Sequence, residues 1–355
     1  MKIVFDNIIF SLQKAGGISV VCYELLKRIM NIDSLTIQLV EYNKIENIFR
    51  KKLIVPNNIV VCRRFFLIIR RYLNPIVLSK SKFIFHSSYY RTCSNKKAIN
   101  ITTVHDFTYE YYAKGLQKFI HIWQKHRAIK KSDIIICVSE NTKKDLLMFV
   151  KGVNPGRIRI VYNGVSDSYC PIQTTFFPLP FKHDYVLYVG NRGGYKNFDI
   201  ALRSVAKTDL NLVIVGNHLS KKESDFVESF LIRDRYVCLS KISDDELNIL
   251  YNAAFCLLYP SAYEGFGIPV LEAQKAGCPV IAYNNSSIPE IIGSTPLLMN
   301  ELSEESILDC FTLLKDPLVR EKIIECGLEN SKQYTWDRMC AELIDVYKQA
   351  WSINK

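Results

Sequence analysis

Short apolar runs of strand length alternate with helix-length segments along most of this chain, and they do so in two separate series. No other feature constrains the fold as much. Strands joined through helices pair in parallel and have both faces covered, so each series reads as one doubly wound sheet. The first series runs through KIVFDNIIF at 2–10, a helical pattern from about Ile18 to Met30, LTIQLVEY, KFIFHSS, INITTVHD, DIIICVS and RIRIVYNGV. After Val165 the pattern breaks, and SDSYCPIQTTFFPLPFKHD, with Pro171, Pro178 and Pro180, shows no period and reads as a linker. The second series restarts at YVLYVG and continues through LNLVIVG, YVCLSKI, AFCLLYP and CPVIAY, with helices expected near 197–207, 221–232, 244–253 and from Pro269. The fold class expected is α/β, with two Rossmann-like domains facing each other across a cleft. Their bounds are 1–172 and 184–335, with a linker at 173–183 and a helical segment at 336–355.

A length of 355 residues is too great for one comfortable core and suits two. Eleven cysteines occur singly with no C-x-x-C pair, several inside apolar runs, as small buried hydrophobes of a reducing compartment do. The N-terminal MKIVFDNIIF carries Asp6 and lacks a long apolar core, so it reads as a first strand and not a signal peptide. No run approaches the ~18 apolar residues of a membrane span. A cytoplasmic protein is expected.

Charge is uneven. Residues 1–175 hold 28 Lys and Arg against 11 Asp and Glu, whereas 176–355 hold 18 against 24. A basic half faces a polyanion: nucleic acid, anionic lipid or a phosphate-bearing substrate. A nucleic-acid binder lacks support, since the basic residues are not interleaved with aromatics and form no recognition helix. A non-catalytic scaffold is the other alternative. Arg63, Arg64, Arg70 and Arg71 bracket an apolar stretch, and with Arg50, Lys51 and Lys52 the segment 50–73 reads as an interfacial helix on anionic lipid. That places the protein peripherally on the inner face of the membrane.

The stretch YPSAYEGFGIPVLEAQKAG at 259–277 carries most chemistry. Gly265, Phe266 and Gly267 put backbone amides beside a helix start, with Pro269 at its first position, which together suit an anion. Glu264 and Glu272 flank that turn, eight residues apart, as acceptors for sugar and ribose hydroxyls. Arg192 and Lys196, in the glycine-containing loop after YVLYVG, suit a diphosphate. Gly16-Gly17 sets bare backbone at another helix start. His105-Asp106 ends a strand, where active sites of doubly wound sheets lie. The remaining histidines lack metal-ligand spacing.

EGFGIPVLE resembles the E-x7-E signature of the family-4 retaining glycosyltransferases, whose fold is GT-B. YVGNRGGYKN is similar to that family's diphosphate loop, and ICVSENTKKDLL with RIRIVYNGV is similar to the segment closing its first domain. TTVHD carries the family's His. The resemblance implies a nucleotide-diphosphate sugar donor, GDP-mannose first and a UDP-sugar next, and a glycan or lipid-linked saccharide acceptor in cell-surface polysaccharide assembly. It implies no metal and no other cofactor. By it, Glu272 binds the ribose, Glu264 the donor sugar near its C3 hydroxyl, and Arg192 and Lys196 the diphosphate and leaving group. Gly17 approaches the phosphates, His105 sits near the sugar, Lys241 and Ile242 contact the base, and the segment 336–355 crosses back onto the first domain.

Overall fold

A computed structural model describes residues 1–42, 45–56, 60–63, 71–173, 177–181 and 184–352. The chain forms two compact units, one of Met1–Gly164 with Trp336–Lys355, the other of Val165–Thr335.

The first unit is built on a seven-stranded, wholly parallel sheet. Its strands are β1 (Lys2–Asp6), β2 (Thr36–Tyr42), β3 (Val60–Arg63), β4 (Phe83–Ser87), β5 (Ala98–Val104), β6 (Ile134–Cys137) and β7 (Ile158–Ile160), in the order β3-β2-β1-β4-β5-β6-β7. Strand β4 is buried at every residue, as a strand covered by helices on both faces must be. The helix Trp336–Ser352 belongs to this unit and packs on the helix Gly17–Ile29. Its Tyr347 hydroxyl lies 2.7 Å from His86 Nδ1, and its Trp351 carbonyl accepts from Lys82 Nζ at 2.6 Å.

The second unit holds six parallel strands: β8 (Tyr185–Val189), β9 (Asn211–Val215), β10 (Tyr236–Leu239), β11 (Cys256–Tyr259), β12 (Val280–Tyr283) and β13 (Leu298–Met299). Their order is β10-β9-β8-β11-β12-β13. Its core joins Val186, Tyr188, Leu212, Ile214, Leu258 and Ile281 of the sheet to Phe198, Leu202 and Phe311 of the covering helices. Ser220 and Ser243 each close a capping box, with Glu223 and Glu246, which sets where the helices Lys221–Glu228 and Asp244–Ala253 begin.

Two expectations need correction. The first unit ends at Gly164, not at 172. Asn248 and Asn252 of the helix Asp244–Ala253 accept the Cys170 and Ile172 amides at 3.1 and 2.9 Å, binding 165–172 into the second unit. Within the expected linker, 174–176 and 182–183 lie outside the described residues. Nor is 50–73 one helix. Ile48–Lys52 form a single turn capped by Asn47, and Val60–Arg63 pair with β2 at the sheet edge. Pairing to β2 gives these backbone groups partners that a solvated helix end would lack. Arg64 and Arg70 lie outside the described residues.

Candidate functional site

In the second unit the strand order reverses between β8 and β11, the position where doubly wound sheets take ligands at their strands' carboxyl ends. Lys196 closes the short 3-10 turn Gly194–Lys196 just past β8, and Glu264 follows β11. Adjacent parallel strands therefore bring together residues far apart in the chain, and the Lys196 ammonium donates to the Glu264 carboxylate. The two loops are stapled. The Ala262 amide donates to the Tyr195 carbonyl at 2.7 Å, and Asn197 Nδ2 donates to the carbonyls of Pro260 at 2.8 Å and Tyr195 at 3.1 Å. Asn197 does this from a left-handed conformation (φ 50°), which an asparagine adopts more readily than most residues. Lys196 and Glu264 side chains stay 15% and 14% exposed, so the pair sits at the surface of the loop cluster, not in the core.

Beyond Glu264 the chain turns through Gly265, Phe266 and Gly267 into the helix Ile268–Lys275, where Pro269 occupies the second position. Gly267 has φ +100°, and a Cβ there would lie 2.8 Å from Ile288 Cδ1. Only glycine fits both limits. Ser286 Oγ accepts the Glu264 amide at 2.9 Å, and Ser287 Oγ lies 3.0 Å from the carbonyls of Glu264 and Phe266. The loop after β12 thus holds the turn from one side.

Glu272 is on the same helix, with Oε2 accepting from the Tyr251 hydroxyl at 3.1 Å. Burial pushes its carboxyl up to about 7. The Tyr251 and Tyr169 hydroxyls oppose that shift, and the nearby Asp244 charge adds to it. Arg192 takes a different carboxylate from Lys196. Its Nε donates to Glu223 at 2.9 Å, and its Nη1 and Nη2 donate to the carbonyls of Asn217 and His218 at 2.9 and 3.2 Å. That hydrogen bond from Arg192, followed by those from Ser220, pulls the Glu223 carboxyl down to about 2. Lys241 and Ile242 follow β10, two strands from β8. Lys241 is exposed with φ 59° and Ile242 half-buried.

In the first unit the order reverses between β1 and β4. There Asp6 is buried in an ion pair with Arg91, whose Nε donates to Asp6 Oδ2 at 2.8 Å, and Ser87 Oγ donates to the same oxygen at 2.7 Å. Gly17 opens the helix Gly17–Ile29, and a Cβ added there would meet nothing within 4 Å. His105 follows β5, one strand from the reversal, and burial lowers its imidazole to about 4, so it is neutral at pH 7. A largely apolar pocket reaches His105, His86, Ser87 and Ser88 from beneath the helix Gly17–Ile29. Of the predicted residues, then, Lys196, Glu264 and Gly265–Gly267 share one loop cluster. Arg192 and Glu272 have partners of their own, and Gly17 and His105 belong to the other unit. Sequence reasoning missed Asn197, Ser286, Tyr169 and Tyr251. It also missed Arg91, although an acid closing the apolar strand KIVFD signals a buried partner. Among the described residues, no three His, Cys, Asp or Glu side chains gather as metal ligands do, and the ten cysteines whose side chains are described are free.

Two doubly wound units, each with polar groups at the reversal of its strand order, define a two-domain α/β architecture with a ligand-binding position in each unit. The model described as Glycosyl transferases group 1 matches residues 173–330, and Glycosyltransferase Family 4 matches 39–169. With both halves matched, the chain belongs to the glycosyltransferases that these models define, and it is an enzyme of that class. O-antigen chain mannosyltransferase B of Escherichia coli is 27% identical over 269 residues, 70% of each chain. O-antigen chain mannosyltransferase RfbU of Salmonella typhimurium is 31% identical over 209 residues, 58% of this chain and 57% of that one. Among solved structures, sucrose-phosphate synthase from Thermosynechococcus elongatus superposes with a TM-score of 0.79 at 16% identity, over 99% of both chains. Anabaena HepE, solved in complex with UDP, superposes with 0.69 at 14%, over 98% of this chain and 100% of that one. At these identities the likeness is one of fold, two Rossmann-like domains of the GT-B type.

Proposed function

We propose that the chain moves a hexose from a nucleotide-diphosphate sugar to a glycan or lipid-linked saccharide, keeping the anomeric configuration and using no metal. The donor favoured is GDP-mannose, with a UDP-sugar next. The Lys196–Glu264 pair at the strand reversal carries the reading. A cation and a carboxylate held on one stapled loop cluster can part on donor binding, the ammonium to the diphosphate and the carboxylate to a sugar hydroxyl. The mannosyltransferase relatives support the sugar, and the UDP complex of Anabaena HepE supports a nucleotide donor.

In the step proposed, the acceptor oxygen attacks the anomeric carbon on the face from which the diphosphate departs. The bond from that carbon to the phosphate oxygen breaks, and the phosphate takes the acceptor's proton. Lys196 stabilises the charge that develops on the departing oxygens, and Arg192 joins it after exchanging Glu223 for phosphate. Amides of Gly265, Phe266 and Gly267 approach the donor at the helix start. Glu272, with a carboxyl near neutrality, takes the ribose hydroxyls, and Lys241 and Ile242 take the base. The roles of Gly17 toward phosphate and neutral His105 toward the sugar belong to the same proposal. The enzyme then works in the cytoplasm at the inner membrane face, in cell-surface polysaccharide assembly.

The test is a thermal-shift panel of GDP, UDP, ADP, GDP-mannose and UDP-glucose without metal, followed by proton NMR of the product's anomeric signal. A ligand of the folded state at a hundredfold its dissociation constant adds about 2.7 kcal/mol. A shift with guanine nucleotides and an α-linked product from the α-linked donor are expected. No shift with any nucleotide, or an inverted product, refutes the proposal.

A further inference from the structure

The helix Gly115–Lys131, GLQKFIHIWQKHRAIKK, turns a ridge of large apolar side chains to solvent. Leu116, Phe119 and Trp123 are 74%, 69% and 57% exposed, and Ile120 lies among them. Their spacing of three, four and seven residues puts them on one helix face. The opposite face, with Gln124, Lys125, Ala128 and Ile129, is buried in the first unit. A helix that is already docked through one face has no packing reason to carry four large apolar groups on the other.

Exposed charge on the helix itself is basic, and the acid of the preceding turn, Glu110, is buried in a pair with Lys125. The helix contains no acid, Lys114, Lys130 and Lys131 flank it exposed, and the Arg127 guanidinium lies 5.2 Å from the centre of the Trp123 ring. The preceding turn, Thr108–Tyr112, exposes Tyr109, Tyr111 and Tyr112, side chains with an apolar ring and a polar tip. Apolar ridge, basic rim and tyrosine fringe are together what a helix lying in a lipid interface requires. Position agrees. The chain leaves β5 at its carboxyl end, and this helix runs back to deliver β6 parallel to β5, so the ridge in its first half lies toward the carboxyl end of the sheet, where His105 follows β5.

We infer that the ridge from Leu116 to Trp123 seats the first unit on a bilayer rich in anionic phospholipid. The inference extends the reading of an enzyme at a membrane face, places a contact on this helix, and does not depend on which donor is used. Phe119 and Trp123 enter between headgroups while the lysines meet lipid phosphates.

The experiment is flotation of the full chain with phosphatidylcholine vesicles, with and without phosphatidylglycerol, at low and high salt. Binding to the anionic vesicles alone is expected, with release at ~1 M salt, where charge is screened beyond about 3 Å. F119S/W123S is expected to reduce binding at least ~10-fold, since it removes most of the inserted apolar area. Its melting temperature and nucleotide-induced shift should stay at wild-type values, because neither side chain is buried. K130E/K131E, which leaves the ridge intact, should also weaken binding to anionic vesicles. Absence of wild-type binding to anionic vesicles, or binding of F119S/W123S equal to wild type, overturns the inference. So does a wild-type dimer in sedimentation velocity that F119S/W123S dissolves, which would give the ridge to a second copy. A failed nucleotide panel with intact vesicle binding would refute the donor reading and leave this one standing.

Discussion

Replacing Lys196 with alanine tests the loop cluster most directly, because it removes one cation from the strand reversal and leaves Glu264 without its counter-charge. Two losses follow. A positioned donor aimed at charge developing on a leaving group contributes about 2.7–4 kcal/mol, a fall in kcat of ~10²–10³. The second is electrostatic. Two unit charges ~4 Å apart in surroundings of effective dielectric ~20 interact by about 4 kcal/mol, so a Glu264 carboxylate without its counter-charge repels the incoming diphosphate on a comparable scale. Lys196→Ala alone should therefore depress both donor affinity and kcat. Adding Glu264→Gln removes the repulsion and should return much of the nucleotide affinity, while kcat stays low. Calorimetric titration with the nucleoside diphosphate reads the first quantity, and coupled detection of nucleoside diphosphate release reads the second. Near wild-type kcat in Lys196→Ala, or a double variant that binds nucleotide no better than the single one, would refute this reasoning.

Glu272 makes a pH prediction. Its carboxyl is raised from 4.5 to about 7 in the folded chain, so the folded state holds the proton more tightly than the unfolded one. Its contribution to stability is full below 4.5 and is lost as pH rises toward 7. Glu272→Gln should flatten the fall in melting temperature across that window; an unchanged slope would contradict the assignment. Gly267→Ala combines a left-handed φ with a 2.8 Å approach to Ile288 and should lower unfolding free energy by about 1–3 kcal/mol in urea titration. Arg91→Ala strands Asp6 at 0% exposure and should cost about 3–5 kcal/mol, read in the same titration; a loss within experimental error would mean that Asp6 finds water or another donor.

Local pattern made much of this molecule legible. The expected helix at 244–253 is present residue for residue, because Ser243 and Glu246 form its capping box within four positions. The strands announced by YVLYVG, LNLVIVG and AFCLLYP are β8, β9 and β11, buried on both faces as their unbroken apolar runs imply. Contacts between distant residues were illegible. Nothing near Cys170 and Ile172 tells that Asn248 and Asn252 will claim them, so the expected domain boundary fell late. Arg192 meets Glu223 and Glu272 meets Tyr251 only once strands β8, β9 and β11 set their loops side by side. The segment near 63–71 drew attention because its arginine pairs bracket an apolar run within nine residues of sequence. The ridge at 116–123 was overlooked because apolar residues at helical spacing normally face a core, and burial alone distinguishes the two.

The helix Trp336–Ser352 also dictates an order of events during synthesis. His86 and the helix Gly17–Ile29 leave the ribosome early, yet their partners Tyr347 and Leu343 come only after all of Val165–Thr335 has been made. At translation speeds of ~5–20 residues per second, the first unit waits roughly 10–30 seconds with an apolar flank uncovered. The second unit, continuous in sequence, can close its core before the first. A chain truncated before Trp336 therefore keeps every residue of the second unit and lacks the helix that covers the first.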